Sequence, residues 1–182
     1  LIRTIWNSNE KRSIKICVPK GKVFETIKIS AGVGVTKIKN ITTAKLRLDC
    51  GVGMCKMVQV RSTEKTKISA GVGKIAAEGC VWNNMKLSGG VGLVQFDGTL
   101  LGDITVSGGV GKVELTLSGD KDDYYIRAKS SLFDTVRIDG TTGKSYSNEC
   151  TEASAKNKLH LNGGLGSLEV RFKPASDTET KW

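Results

Sequence analysis

The sequence predicts an all-β solenoid: a single-stranded parallel β-helix of about seven rungs, each of ~19–20 residues. Three observations predict it. One five-residue phrase recurs six times, as SAGVG (30–34), DCGVG (49–53), SAGVG (69–73), SGGVG (88–92 and 107–111) and NGGLG (162–166). The last glycines of the first five copies, Gly34, Gly53, Gly73, Gly92 and Gly111, follow one another at intervals of 19, 20, 19 and 19 residues. Around each phrase, apolar and polar residues alternate with the period of two that marks strands rather than helices.

Columns become visible when the last glycine of each phrase is taken as zero. Seven before it stand Ile27, Leu46, Thr66, Met85, Ile104 and Leu159, and five before it Ile29, Leu48, Ile68, Leu87, Val106 and Leu161. Three before it the residues are small, from Ala31 and Cys50 to Gly163. One before it are Val33, Val52, Val72, Val91, Val110 and Leu165. Two and four after it come residues such as Ile75 and Ala77, or Val94 and Phe96. All these columns are expected to face inward, with a one-residue slip of phase at zero. The slip keeps the inward face only if the chain turns a corner there, and glycine suits such a corner.

The elements follow in order. Residues 13–24, SIKICVPKGKVF, alternate Ile14, Ile16 and Val18 before a Pro-Lys-Gly turn, and are expected to cap the N-terminal end with Ile5 and Trp6. Short stretches such as ITTA (41–44), CVWNN (80–84) and TLLGD (99–103) return the chain to the next coil. A degenerate coil with no glycine at its corner is expected over IRAKSSLFDTVRIDG (126–140), in the long gap between the last two phrases. Residues 141–158 read as a polar insertion loop, and 174–182 as a polar tail beyond a single domain of 1–173.

Net charge is +10, but the halves differ: residues 1–91 hold 17 Lys/Arg against 5 Asp/Glu, whereas 92–182 hold 11 against 13. Such asymmetry predicts a basic surface that attracts polyanions. No apolar run is long enough to span a membrane. The five cysteines (Cys17, Cys50, Cys55, Cys80, Cys150) cannot all pair within one chain, and they match no zinc spacing.

The stretch IKICVPKGKVFETIKISAGVG (14–34), with the G-V-G coils after it, resembles the bacterial adhesin-type family of β-helical domains of unknown function. It is also similar to the C-terminal domains of LiaF-type and LiaG-type cell-envelope stress proteins. The resemblance covers about residues 13–173. It implies a right-handed β-helix on the extracytoplasmic side of the cell envelope, held by an N-terminal anchor that this chain does not contain. Adhesion or envelope-stress signalling is the function it implies, and it marks no site residue.

Chemistry is expected to be absent rather than hidden. The single histidine, His160, falls in an outward column, where an exposed strand residue is the default over a catalytic one. Cys50 and Cys55 share columns with Ala, Gly, Ile and Val, and read as packing residues. The acidic stretch GDKDDYY (119–125) is the one candidate for the Ca²⁺ site of a polysaccharide lyase, but it lacks EF-hand spacing. No enzyme, metal or cofactor is therefore expected. The feature above background is a basic ladder in the outward column six before zero: Lys28, Arg47, Lys67 and Lys86, flanked by Lys45 and Lys65. Its expected ligands are anionic cell-wall polymer or lipid head groups. Specific nucleic-acid binding is not expected, because a flat ladder fits no groove and lacks interleaved aromatics. The alternative is a sensor or scaffold domain that docks an envelope protein through outward apolar residues such as Val35, Met54 and Leu93, or through an open end.

Overall fold

The computed structural model describes residues 3–6, 14–129, 135–148, 151–152 and 155–174, and the side chains of all of these except 3–6. Fourteen strands appear: β1 (Arg3–Trp6), β2 (Ile14–Cys17), β3 (Val23–Ser69), β4 (Val72–Asn83), β5 (Met85–Ser88), β6 (Val91–Leu101), β7 (Asp103–Ser107), β8 (Val110–Ser118), β9 (Tyr124–Lys129), β10 (Thr135–Ile138), β11 (Thr141–Gly143), β12 (Ser145–Ser147), β13 (Asn157–Asn162) and β14 (Leu165–Lys173). Among the described residues the only helical turn is a short 3₁₀ turn at Lys121–Asp123. The fold is all-β and solenoid-like, with twelve strands in one sheet.

Successive repeats stack in parallel and in register. Val52 pairs with Val72, Val72 with Val91, and Val91 with Val110. The inward columns are buried as their spacing predicts. Leu48, Ile68, Val106 and Leu161 are fully enclosed, as are Met57 and Val170 on the other side of the corner. Each coil by itself would leave these side chains half in water. Stacking buries them at ~0.8 kcal/mol per methylene, and the stabilisation accrues only between neighbours.

The glycine corner departs from expectation in one column. Val33, Val52, Val72, Val91, Val110 and Leu165 point outward and are about half exposed or more. The inward face therefore skips from three before zero to two after it, because the bend turns the apex side chain away from the core. Glycine is required at the corner for two reasons. At zero the backbone takes φ near +130°, as at Gly53, a region L side chains rarely adopt. Two before zero, as at Gly90 and Gly109, an added Cβ would lie closer than 3.0 Å to a carbonyl oxygen of the coil beneath. A second corner lies six residues after zero, where Asn40, Gln59 and Gly79 adopt left-handed φ. Asn side chains stitch the third side: Asn84 Nδ2 donates to the Glu64 carbonyl (2.8 Å), while its Oδ1 accepts from the Asp103 amide (3.0 Å).

The order of coils in space is not their order in sequence. On one flank of β3 the strands run β4, β6, β8, β14, β10, β11, and on the other β5, β7, β13, β9, β12. Both flanks place the final repeat, β13 and β14, directly on the coil of β7 and β8. Leu165 pairs with Val110, Gly166 with Gly111, and Leu159 with Ile104. The degenerate coil of β9 and β10, expected between them, lies outside both.

The two ends of the stack differ. At the far end the expected loop is structured. Here β11 adds antiparallel to β10, and β12 adds antiparallel to β9. Asn148 Oδ1 accepts from the Ile126 amide (2.9 Å), and its Nδ2 donates to the Tyr124 carbonyl (2.7 Å). Residues 141–148 thus cover an edge that would otherwise present unpaired backbone groups. At the near end, β1 and β2 pair only with each other, in a two-stranded antiparallel sheet. Ile14 and Ile16, expected to cap the core, stand 68% and 62% exposed. The polar tail beyond Pro174 lies outside the described residues.

Candidate functional site

Each coil presents three outward residues just before its glycine corner, at eight, six and four before zero. The alternation that sends Leu46 and Leu48 inward sends Lys45, Arg47 and Asp49 outward. Stacked coils lie ~4.8 Å apart, so each outward column becomes a ladder. Lys28, Arg47, Lys67 and Lys86 form one such ladder, with Lys67 in register with Lys86. Beyond Lys86 the column continues through Thr105 and His160 to Arg127. The column at eight adds Lys45, Lys65 and Lys158, and the column at four ends in Lys129.

The basic face is therefore longer than the repeat alone indicates. Arg127 and Lys129 were not among the predicted site residues, since they belong to the degenerate coil. The extension was hidden because it depends on that coil stacking outermost. With Thr105, His160 and Asn162, these two cations line a shallow depression at the far end of the face. The Tyr125 ring meets the His160 ring edge-on at 5.9 Å between centroids.

Only Asp49 and Asp103 bring carboxylates to these three columns. Arg47 Nε donates to Asp49 at 2.9 Å, and this bond holds the Asp49 carboxyl below the usual carboxylate range, with the Ser69 hydroxyl adding to the effect. Lys45 reaches Glu64 at 3.7 Å, and Lys158 reaches Glu152 at 3.4 Å. Among the described residues Lys28, Lys65, Lys67, Lys86, Arg127 and Lys129 form no ion pair. Like charges in adjacent rungs oppose stacking. Their spacing is shorter than the ~8 Å screening length at physiological salt, so a bound polyanion would relieve the repulsion.

The face after the corner is richer in ion pairs, although Lys37, Lys39 and Lys74 form none among the described residues. There Lys56 pairs with Glu78 (2.8 Å), Arg171 with Glu169 (2.7 Å), and Lys112 with both Glu114 and Glu169. Lys173 at its edge pairs with Asp97. Lys112 lowers the pKa of the Glu114 carboxyl, with a second hydrogen bond from Gln95, and Arg171 lowers that of Glu169. A carboxyl depressed on folding contributes stability above its unfolded pKa, and that stability is lost as pH falls through the folded value. Urea titrations are accordingly expected to show stability declining below about pH 4.5, with a shallower decline in the Glu114→Gln/Glu169→Gln variant. An identical pH profile in that variant would remove these pairs as its cause.

The remaining candidates are dispersed. His160 lies in its outward column as predicted, and among the described residues it forms no ion pair. Cys50 and Cys55 face the interior, Cys80 is buried at another corner with its pKa pushed up to about 11 by burial, and Cys17 is exposed on β2. Cys150 lies outside the described residues. The acidic stretch 119–125 is a capped 3₁₀ turn: Asp120 accepts from the Asp122 amide at 3.0 Å, and Asp123 pairs with Lys156 at 2.7 Å. Among the described residues no three His, Cys, Asp or Glu groups converge as a metal site. No helix among the described residues is long and apolar enough to cross a membrane. Trp82 and Tyr124 are buried core residues, and the Tyr124 hydroxyl donates to the Leu100 carbonyl at 2.8 Å.

The family model described as Toastrack DUF4097 matches residues 2–164. No curated protein and no solved structure matches the chain.

Proposed function

The chain belongs to the Toastrack DUF4097 family, and from that premise we propose that it is a non-catalytic cell-envelope protein whose basic face binds phosphate-bearing anionic polymers or lipid head groups. In this reading the coils form a right-handed parallel β-helix of about seven rungs. The domain works on the extracytoplasmic side of the membrane as an adhesin-type or envelope-stress module. The observation that carries the reading is the contrast between the two outward faces. On one, Lys28, Lys65, Lys67, Lys86, Arg127 and Lys129 form no ion pair among the described residues and only Asp49 and Asp103 share their columns, whereas on the other Lys56, Lys112 and Arg171 each meet a carboxylate. Rigid, regularly spaced cations suit a polymer whose charges also repeat, and they demand no particular sequence of it.

Sedimentation with purified teichoic acid and with phosphatidylglycerol vesicles, each across a salt series, tests this reading and separates the two sources of phosphate. Binding is expected to weaken about tenfold or more between low and physiological salt. It should be lost in the variant Lys28→Glu, Arg47→Glu, Lys67→Glu, Lys86→Glu. Since all four side chains point outward, that variant should retain the wild-type circular dichroism spectrum. Equal sedimentation of both proteins, or none of either, would overturn the reading.

The near end of the stack favours a second reading, docking of a protein partner. Gly32 and Gly34 have open space where the corner glycines of later coils meet a neighbouring backbone, and Phe24, Ile27 and Ile29 are only partly covered. The fitting occupant is an extended acidic segment added to the edge of the first coil. Among the described residues Lys20, Lys22, Lys28, Lys37 and Lys39 belong to that end of the chain, with Glu25 as a carboxylate among them. A ~9-residue peptide of alternating Glu and Val should slow hydrogen exchange over 23–38. Unchanged exchange at saturating peptide would exclude this mode, and self-association without peptide would assign the edge to a second copy.

A further inference from the structure

The residues three before and two after the last glycine of each repeat both point inward, and they meet across the bend. In most coils the pair is inert, such as Ala70 with Ile75 or Gly108 with Val113. In the second coil both are cysteine, in the run Cys50-Gly-Val-Gly-Met-Cys55. Cys55 is 4% exposed, while Cys50 is half-buried and packs against the same core. The Cys55 thiol lies near enough to Cys50 to help raise its pKa. Both line a cavity of about 110 Å³ that follows the glycine corners from coil to coil. Cys17 and Cys80 lie elsewhere, the latter donating to the Glu78 carbonyl at 3.5 Å.

We propose that Cys50 and Cys55 form a dithiol–disulfide site, oxidised by small-molecule disulfides such as oxidised glutathione. The thiolate of Cys50, the more accessible of the two, attacks one sulfur of the reagent and expels the first glutathione as thiolate. The thiolate of Cys55 then attacks the Cys50 sulfur of the mixed disulfide and expels the second. Two protein thiols are oxidised, one reagent disulfide is reduced to two thiols, and the two protons lost by the protein end on the released glutathiones. The new bond closes the bend from within, so the outward valine and the stacked glycines keep their places.

Kinetics follow from the surroundings of the attacking sulfur. Burial, and then the adjacent Cys55 thiol, raise the pKa of Cys50. Its thiolate is scarce at neutral pH and grows about tenfold per pH unit, and the first step should accelerate accordingly.

The test is incubation of the folded chain with oxidised glutathione at two alkaline pH values one unit apart, followed by intact mass and peptide mapping. A Cys50–Cys55 crosslink forming about tenfold faster at the higher pH is expected. The Cys55→Ser variant should stop at a glutathione adduct on Cys50. The site is overturned if Cys50 and Cys55 remain reduced in the native protein at both pH values. It is equally overturned if Cys50 keeps its glutathione with Cys55 intact, or links to another cysteine.

Discussion

Gly109→Ala is expected to cost at least ~4 kcal/mol, enough to unfold much of the population, whereas Gly32→Ala is expected to change stability by less than ~0.5 kcal/mol. The two glycines occupy the same position of the repeated phrase, and neither has left-handed φ, so propensity does not separate them. What separates them is the coil beneath. A Cβ on Gly109 would enter the carbonyl of Gly90 at a distance no real contact shows, and backbone there cannot yield without unstacking the corner. A Cβ on Gly32 meets nothing within 4 Å. Urea unfolding of the two variants checks this directly. Equal losses would mean that glycine is kept for conformational reasons alone, and that the close stacking of corners is not what holds the repeat.

Trp82→Ala should rank second, with a loss of about 3–5 kcal/mol. Trp82 is 1% exposed, stands in register between Ser62 and Leu100, and lies 4.8 Å from Phe96 between ring centroids at a 49° tilt. Among the described residues its indole N–H has no hydrogen-bond partner, so Trp82→Phe forfeits only volume and should cost about half as much or less. Calorimetry of both variants separates lost packing from lost hydrogen bonding. A Phe variant as unstable as the Ala variant would show that the indole nitrogen has a partner after all.

The buried columns were legible because a strand alternates strictly, and because the period places equivalent residues above one another. Leu48, Ile68 and Leu87 could be assigned inward from spacing alone, and Lys67 and Lys86 outward. The valines at the corner were misassigned for a physical reason. Hydrophobicity signals burial only while the strand geometry holds, and the two glycines flanking each valine end that geometry. Val72 and Val91 gain from lying on one another in a ladder, yet remain half exposed. The N-terminal hairpin was misread similarly. Alternating Ile14 and Ile16 are suited to a core, but alternation does not say which surface, if any, they will meet.

The basic ladder was legible as far as Lys86. Its continuation through His160 to Arg127 was not, because residues 33 apart in sequence become neighbours only when the last repeat inserts beneath an earlier coil. By itself the sequence determined the class of fold, the length of a coil, its glycine corners and the inward and outward columns. All of these depend on interactions between a residue and its near neighbours, or on a repeat that encodes itself. Only the tertiary structure decided which coil lies on which, where the stack is covered, and how far the cations extend. Parallel pairing between coils is non-local and leaves no mark in either strand. The choice fell to backbone fit: the NGGLG corner seats Gly164 and Gly166 against the carbonyls of Gly109 and Gly111, whereas the degenerate coil, with no glycine at its corner, cannot and stacks at the end.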